Sequence, residues 1–126
     1  MTFYIDDNIK PVKDIQEKNK EEKMKIVAVA ACTSGIAHTY IAKEKLIRSA
    51  QDAGHTIHVE TQGTIGTEDE LTAQEIAEAD VVVLAIDIAI TGMERFKGKP
   101  VVKVPTSVVV KAPKQLIAKI ESELNK

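Results

Sequence analysis

Ile26-Val27-Ala28-Val29-Ala30-Ala31-Cys32-Thr33-Ser34-Gly35-Ile36-Ala37-His38-Thr39 is the stretch that decides the architecture. Ile26 to Ala31 is an uninterrupted apolar run, too short for a core helix and suited to a strand covered on both faces. Four small or hydroxyl residues, Cys32 to Gly35, then make a turn. A helical pattern follows from about Ile36 to Asp52, in which Ile36, Tyr40, Lys43, Ile47 and Ala50, with Ala37, Ile41 and Leu46, form a broad apolar side. Gly54 is placed to end it.

Downstream the same alternation continues. Thr56 to Thr61 reads as a second strand, with Ile57 and Val59 on one side and His58 and Glu60 on the other. Thr72-Ala73-Gln74-Glu75 has the form of a capping box opening a short helix that ends near Ala79. Val81 to Ile86 is another buried strand and Val101 to Val104, after Pro100, a fourth. A last helix runs from about Pro113 to Leu124, its proline suited to the first turn. Strands alternating with helices imply right-handed crossovers. The expected fold is therefore α/β: a four-stranded parallel sheet with helices on both faces, a Rossmann-like open sheet in a three-layer sandwich. In such sheets ligands bind beyond the carboxyl ends of the strands, near the point where strand order reverses. Cys32 falls at one such end.

The opening of the chain differs from the rest. Twelve of its first 25 residues are charged and the apolar ones are scattered, so residues 1–24 read as a charged tail or linker and residues 25–126 as the folded domain. A length of 126 residues fits one domain. With 44% hydrophobic and 29% charged residues the chain is globular rather than disordered. A net charge of −2 argues against a nucleic-acid partner, and 2 Tyr, 2 Phe and no Trp leave no base-stacking platform. One cysteine forms no internal disulfide, CxxC pair or thiolate-rich zinc site. No apolar run suggests a membrane span, and the N-terminus lacks the features of a signal peptide. A cytoplasmic domain is expected.

The chemistry expected of the turn follows from its place. Backbone N–H groups at a helix start are unpaired and converge, making a cradle for an anion. Thiolate and phosphate benefit from the same surroundings, so a cysteine there is suited to attack phosphorus and the loop to hold the resulting thiophosphate. The bland alternative is a small, inert core cysteine. Other phosphate loops fit poorly. The Gly-Lys-Ser/Thr of a Walker loop is absent, and only Gly35 of a dinucleotide fingerprint is present. A cysteine-dependent phosphatase loop places Arg six residues after Cys, where this chain has His38. Histidine cannot make the planar two-point contact of a guanidinium. Storage of phosphate on sulfur is favoured over hydrolysis.

Several motifs in one order carry a resemblance. Cys32-Thr33-Ser34-Gly35-Ile36-Ala37-His38-Thr39, Val59-Glu60-Thr61-Gln62-Gly63, Leu71-Thr72, Ala79-Asp80 and Arg95-Phe96-Lys97-Gly98-Lys99 resemble the fructose-type IIB domain of the bacterial phosphotransferase system over about residues 25–125. The family's usual loop reads Cys-Pro-Thr-Gly-Ile-Ala-His-Thr; this chain carries Thr33 and Ser34 where Pro and Thr are usual, which removes some rigidity and adds one backbone donor. The resemblance implies a protein-N(pi)-phosphohistidine–sugar phosphotransferase component. Phosphate would come from a phosphohistidine on a IIA protein or domain and pass to a sugar, fructose by default, held by a membrane IIC transporter. Cys32 would be the phosphorylated nucleophile, and Thr33, Ser34, Gly35, Ile36, Ala37 and His38 would bind the phosphate, chiefly through backbone N–H groups. No metal or cofactor is required. The domain would not span the membrane but would work at its inner face through IIC. Two other functions compete: a regulatory module whose Cys32 phosphorylation reports sugar supply, and a cysteine-dependent low-molecular-weight phosphatase.

Secondary candidates have simpler expected roles. Gln62 and Gly63 are placed to flank the site, whereas His55 and His58 belong to a turn and a strand face. Arg95 and Lys99 serve the fold or a partner surface. Asp87 follows the third strand and is placed to line the cleft; a carboxylate beside thiophosphate is repulsive, so a structural or partner-contact role is expected of it.

Overall fold

The computed structural model describes residues 2–4, 24–32, 36–63 and 66–124. Its elements are β1 (Thr2–Tyr4), β2 (Lys25–Ala31), α1 (Ile36–Asp52), β3 (Thr56–Gly63), β4 (Gly66–Glu68), α2 (Ala73–Glu78), β5 (Val81–Ile86), a 3₁₀ turn (Met93–Phe96), β6 (Val101–Val104), α3 (Thr106–Lys111) and α4 (Pro113–Leu124). They form one sheet in the order β1-β6-β5-β2-β3-β4. The four expected strands are its parallel centre. The expectation of four strands is corrected to six, because a short strand lies on each edge. Three residues of β1 pair in parallel with β6, and three of β4 pair antiparallel with β3. Neither edge strand has enough residues to display a period of two, and Gly66-Thr67-Glu68 has no apolar pattern at all. Residues 5–23, the bulk of the expected tail, lie outside the described residues.

Two apolar layers sandwich the sheet. Ile26, Ala28 and Ala30 of β2 face α1, α3 and α4 in a cluster with Leu46, Val108, Val109, Leu116 and Ile120. The alternate residues Val27, Val29 and Ala31 face Leu71, Ile76 and Phe96 on the α2 side. Both faces of β2 are therefore dry, which is why its sequence is apolar throughout rather than alternating. Removing each large aliphatic side chain from water contributes about 1.5–3 kcal/mol, and Leu46, Leu84, Leu116 and Ile120 are fully buried.

The face that α1 buries departs from the expected one. Thr39, Ala42, Leu46, Ser49 and Ala50 are buried, whereas Tyr40 and Ile41 are exposed. Positions 39, 42, 46, 49 and 50 follow the helical repeat with small residues at the sheet. Thr39, Ala42, Ser49 and Ala50 are small, and Leu46 fills the core between them, packed in one cluster with Ala28 and Ala30. After α1 the chain reverses at Gly54, whose φ of 89° is the left-handed conformation that glycine adopts without a Cβ clash.

The capping box is present in full. Thr72 Oγ1 accepts from the Glu75 N–H at 3.1 Å, and Glu75 Oε1 accepts from the Thr72 N–H at 3.0 Å. By contrast, α3 was not expected. Its N-cap position is Pro105, which caps nothing with its side chain, and Val108-Val109-Val110 is β-branched. The cap comes instead from a distant residue, Asp87, described next.

Candidate functional site

The chain runs from β2 to β3 on one side and then returns to β5 and β6 on the other, so strand order reverses between β2 and β5. That switch point is where open α/β sheets bind ligands. Ala31 is in register with Ile86, and the pairing extends one step further, the Asp87 N–H donating to the Ala31 carbonyl at 3.0 Å. Cys32 and Asp87 are thereby brought abreast at the carboxyl ends of neighbouring strands. By strand alternation both project to the face covered by α1 and α3.

Their side chains meet. Cys32, 7% exposed, donates its S–H to Asp87 Oδ2 at 3.2 Å. The same oxygen accepts from Thr106 Oγ1 at 2.5 Å, and Oδ1 accepts from the Thr106 N–H at 3.1 Å. Thr106 Oγ1 is itself 3.6 Å from Cys32 Sγ. Asp87 thus supplies α3 with the side-chain cap that Pro105 cannot, while gripping the thiol. The result is a three-residue cluster drawn from β2, the end of β5 and the start of α3, with the start of α1 four residues beyond Cys32.

Residues 27–119 match the family described as the lactose/cellobiose-specific IIB subunit of the phosphotransferase system. The chain is 51% identical over 100 residues to the fructose-like EIIB component 2 of Escherichia coli K12, across 79% of this chain and 94% of that one. The chain belongs to the phosphotransferase-system IIB family. Among IIB proteins its relatives are of the fructose type. A domain of the fructose-specific IIABC component of Borrelia burgdorferi superposes with a TM-score of 0.71 at 45% identity, covering 78% of this chain and 93% of that one. The Enzyme IIB subunit from E. coli K12 superposes at 0.77 with 33% identity, over 82% and 95% of the two chains. In the fructose-specific EIIABC component of Bacillus subtilis the match is 46% identical over 97 residues, 77% of this chain but 15% of that longer one.

Of the candidate phosphate-binding residues of this IIB chain, Thr33, Ser34 and Gly35 lie outside the described residues. Ile36, Ala37 and His38 form the first turn of α1, where helix N–H groups have no partner within the helix. Gln62 does not reach Cys32 by any described contact. It clamps the segment after β5: its Oε1 accepts from the Thr91 N–H at 3.0 Å, and its Nε2 donates to the Thr91 carbonyl at 3.1 Å and to Glu60 Oε2 at 2.8 Å. Glu60, fully buried, receives both guanidinium arms of Arg95 at 2.8 and 3.0 Å and the Leu71 N–H at 3.0 Å. Burial, the largest influence, pushes this carboxyl up; the bonds from Arg95, Gln62 and Leu71 and the charge of Arg95 outweigh it and hold the group below the usual carboxylate range.

Arg95 therefore serves the fold, as expected, and so does Lys99, whose ammonium donates to the carbonyls of Ala77 and Ala79 at the end of α2. His55 is more than a turn residue. Its Nδ1 accepts from the Met24 N–H at 3.0 Å and its Nε2 lies 2.7 Å from Glu121, joining the start of β2 to α4. His58 pairs with Glu75 at 2.6 Å. Sequence reasoning placed Asp87 in the cleft but missed Thr106, whose only signal was a hydroxyl residue just after the fourth strand.

Proposed function

We infer that this IIB protein is a phosphoryl carrier in which Cys32 accepts phosphate from a phosphohistidine of a IIA protein or domain and passes it to a sugar during IIC-mediated uptake. Membership of the family makes it a phosphoryl-transfer component of sugar uptake. The observation that carries the finer reading is the position of its single cysteine, at the strand end beside the switch point and just ahead of a 17-residue helix. Thr33 to His38 then wrap the phosphate with backbone N–H groups, and attack proceeds by alignment and fixed dipoles without a metal. Fructose is the favoured sugar, in keeping with the names of the relatives.

The IIABC relative joins the three functions in one chain, which supports IIA and IIC as partners. Among the described residues no helix is long and apolar enough to cross a membrane; work at the cytoplasmic face beside IIC fits this. Residues 25–126 then make up the IIB domain, with residues 1–24 its leading tail or linker, of which residues 2–4 dock on β6.

Asp87 does not turn the site into a phosphatase. A phosphatase acid must protonate a leaving group on the far side of phosphorus from sulfur, whereas Asp87 bonds the sulfur itself. The test is intact-mass analysis after incubation with the phosphohistidine form of a IIA protein. One added phosphate is expected, absent in Cys32→Ser; a full equivalent retained by that variant overturns the assignment. Brisk turnover of p-nitrophenyl phosphate, lost in Cys32→Ser, would establish a phosphatase instead.

A further inference from the structure

We propose that Asp87 is the general base of this site: its carboxylate takes the Cys32 thiol proton as sulfur attacks phosphorus, holds it while phosphate sits on sulfur, and returns it when sulfur leaves. The proposal rests on the phosphocysteine reading above and assigns a catalytic role to a residue outside the phosphate loop.

Three observations lead to it. Oδ2 is the hydrogen-bond acceptor of the thiol at 3.2 Å, so donor and acceptor are already within reach of direct proton transfer. The carboxylate is fixed at both ends: its backbone is held by the Ala31 carbonyl and its oxygens by the Thr106 N–H and hydroxyl. Thr106 is accordingly a positioning residue. Finally, Asp87 is exposed whereas Cys32 is buried, so the acceptor can exchange its proton with water and the nucleophile cannot do so as easily.

The chemistry needs such a group. An ordinary free thiol is only about 3% thiolate at pH 7, and the thiolate is the nucleophile. In the first step the N–P bond of the donor breaks and the S–P bond forms. The donor ring, protonated on its other nitrogen, leaves as neutral imidazole, and the thiol proton moves to Asp87. The charge beside sulfur is then that of the phosphate alone. This answers the objection that a carboxylate would repel thiophosphate: the carboxyl is neutral in the loaded form, and the adjacent dianion keeps it so. In the second step a sugar hydroxyl attacks phosphorus, the S–P bond breaks, and the leaving thiolate recovers the proton from Asp87. The hydroxyl proton goes to solvent or to a base on the sugar-bearing partner.

Among the described residues, the following charged groups on the surrounding elements are engaged or placed elsewhere. Lys43 of α1 is paired with Asp69 at 2.5 Å. Lys103 of β6, between Val102 and Val104, alternates to the opposite face of the sheet. Lys111 lies at the far end of α3, and Glu121 of α4 is held by His55. His38 belongs to the first turn of α1.

The experiment follows phosphate uptake by the full chain from a phosphohistidine IIA donor under rapid quench, from about pH 6 to about pH 9, for wild type and Asp87→Asn. The amide preserves shape and one acceptor oxygen but has no basicity. A loss of about 100-fold is expected near pH 7, at the lower end for general-base catalysis. That deficit shrinks toward alkaline pH as hydroxide takes over the deprotonation. Equal rates at pH 7, or a deficit constant across the range as a purely structural loss of the α3 cap would give, overturns the proposal. A second measurement needs no variant. Isotope-edited infrared spectroscopy of labelled aspartates should show one carboxylate become a carboxylic acid when wild type is loaded, and no such change refutes the stored proton. Failure of wild type to load Cys32 at all would instead sink the carrier reading, so the two failures are distinguishable.

Discussion

Replacing Arg95 with Met is the most informative test of what holds the segment after β5 in place. The substitution retains the apolar stem and its packing near Phe96, over whose ring the guanidinium carbon sits at 4.9 Å. It deletes two of the four hydrogen bonds received by the buried Glu60 carboxylate, leaving Gln62 and the Leu71 N–H. Removing one partner of a buried ion pair costs about 3–5 kcal/mol. The Arg95 side chain is 22% exposed, so water replaces part of what is lost and a figure of about 2–3 kcal/mol is expected. At about 4 °C per kcal/mol this lowers Tm by about 10 °C. In wild type the folded-state carboxyl lies below its unfolded value of about 4.3, so its contribution is complete above that pH and fades as acid protonates the folded form. In the variant burial is offset only in part, by Gln62 and the Leu71 N–H, the charge becomes a liability, and the deficit should shrink as pH falls from 7 toward about 4.5. Urea denaturation at several pH values reads both effects as shifts in midpoint at constant m. A loss under about 0.5 kcal/mol at pH 7, or one that grows on acidification, would refute the claim that Arg95 compensates Glu60.

Gly92 has a φ of 80°, and a Cβ there would lie 2.5 Å from Arg95 Nε; Gly92→Ala should cost about 1–3 kcal/mol by strain and by displacing the guanidinium. The same change should cost measurably less in an Arg95→Met background, and a double-mutant cycle in urea showing strict additivity would contradict the shared cause. Thr72→Ala removes one half of the capping box and should lower stability by about 1 kcal/mol in the same assay, with phosphate uptake on Cys32 unchanged. Leu46→Ala opens a cavity between α1 and the sheet and should cost about 2–5 kcal/mol; a loss under about 1 kcal/mol would mean the site collapses to fill it. His55→Ala strands the buried Met24 N–H and frees Glu121, for a loss of about 1–3 kcal/mol, checked by faster amide exchange at the start of β2.

Local pattern was enough to determine the parallel centre of this protein. Ile26 to Ala31 and Val81 to Ile86 are apolar at every position because each is buried on both faces, and that signal needs no partner to be seen. The capping box was legible for the same reason, since donor and acceptor lie three residues apart. The cysteine at the end of the first long strand was legible as a candidate because strand ends are where such sheets bind ligands. What the sequence could not show is set by separation along the chain. Thr106 meets Asp87 across 19 residues, Asp87 meets Cys32 across 55, and Arg95 meets Glu60 across 35. None of these partners has a periodicity that names the other. Helix α3 shows the consequence: β-branched and led by a proline that cannot cap it, it is held by a carboxylate from another strand. The tertiary structure alone decided that Asp87 and Cys32 share a hydrogen bond, because only the register of β2 against β5 brings their ends level, and two strands apolar at every position carry no alternation from which that register could be read.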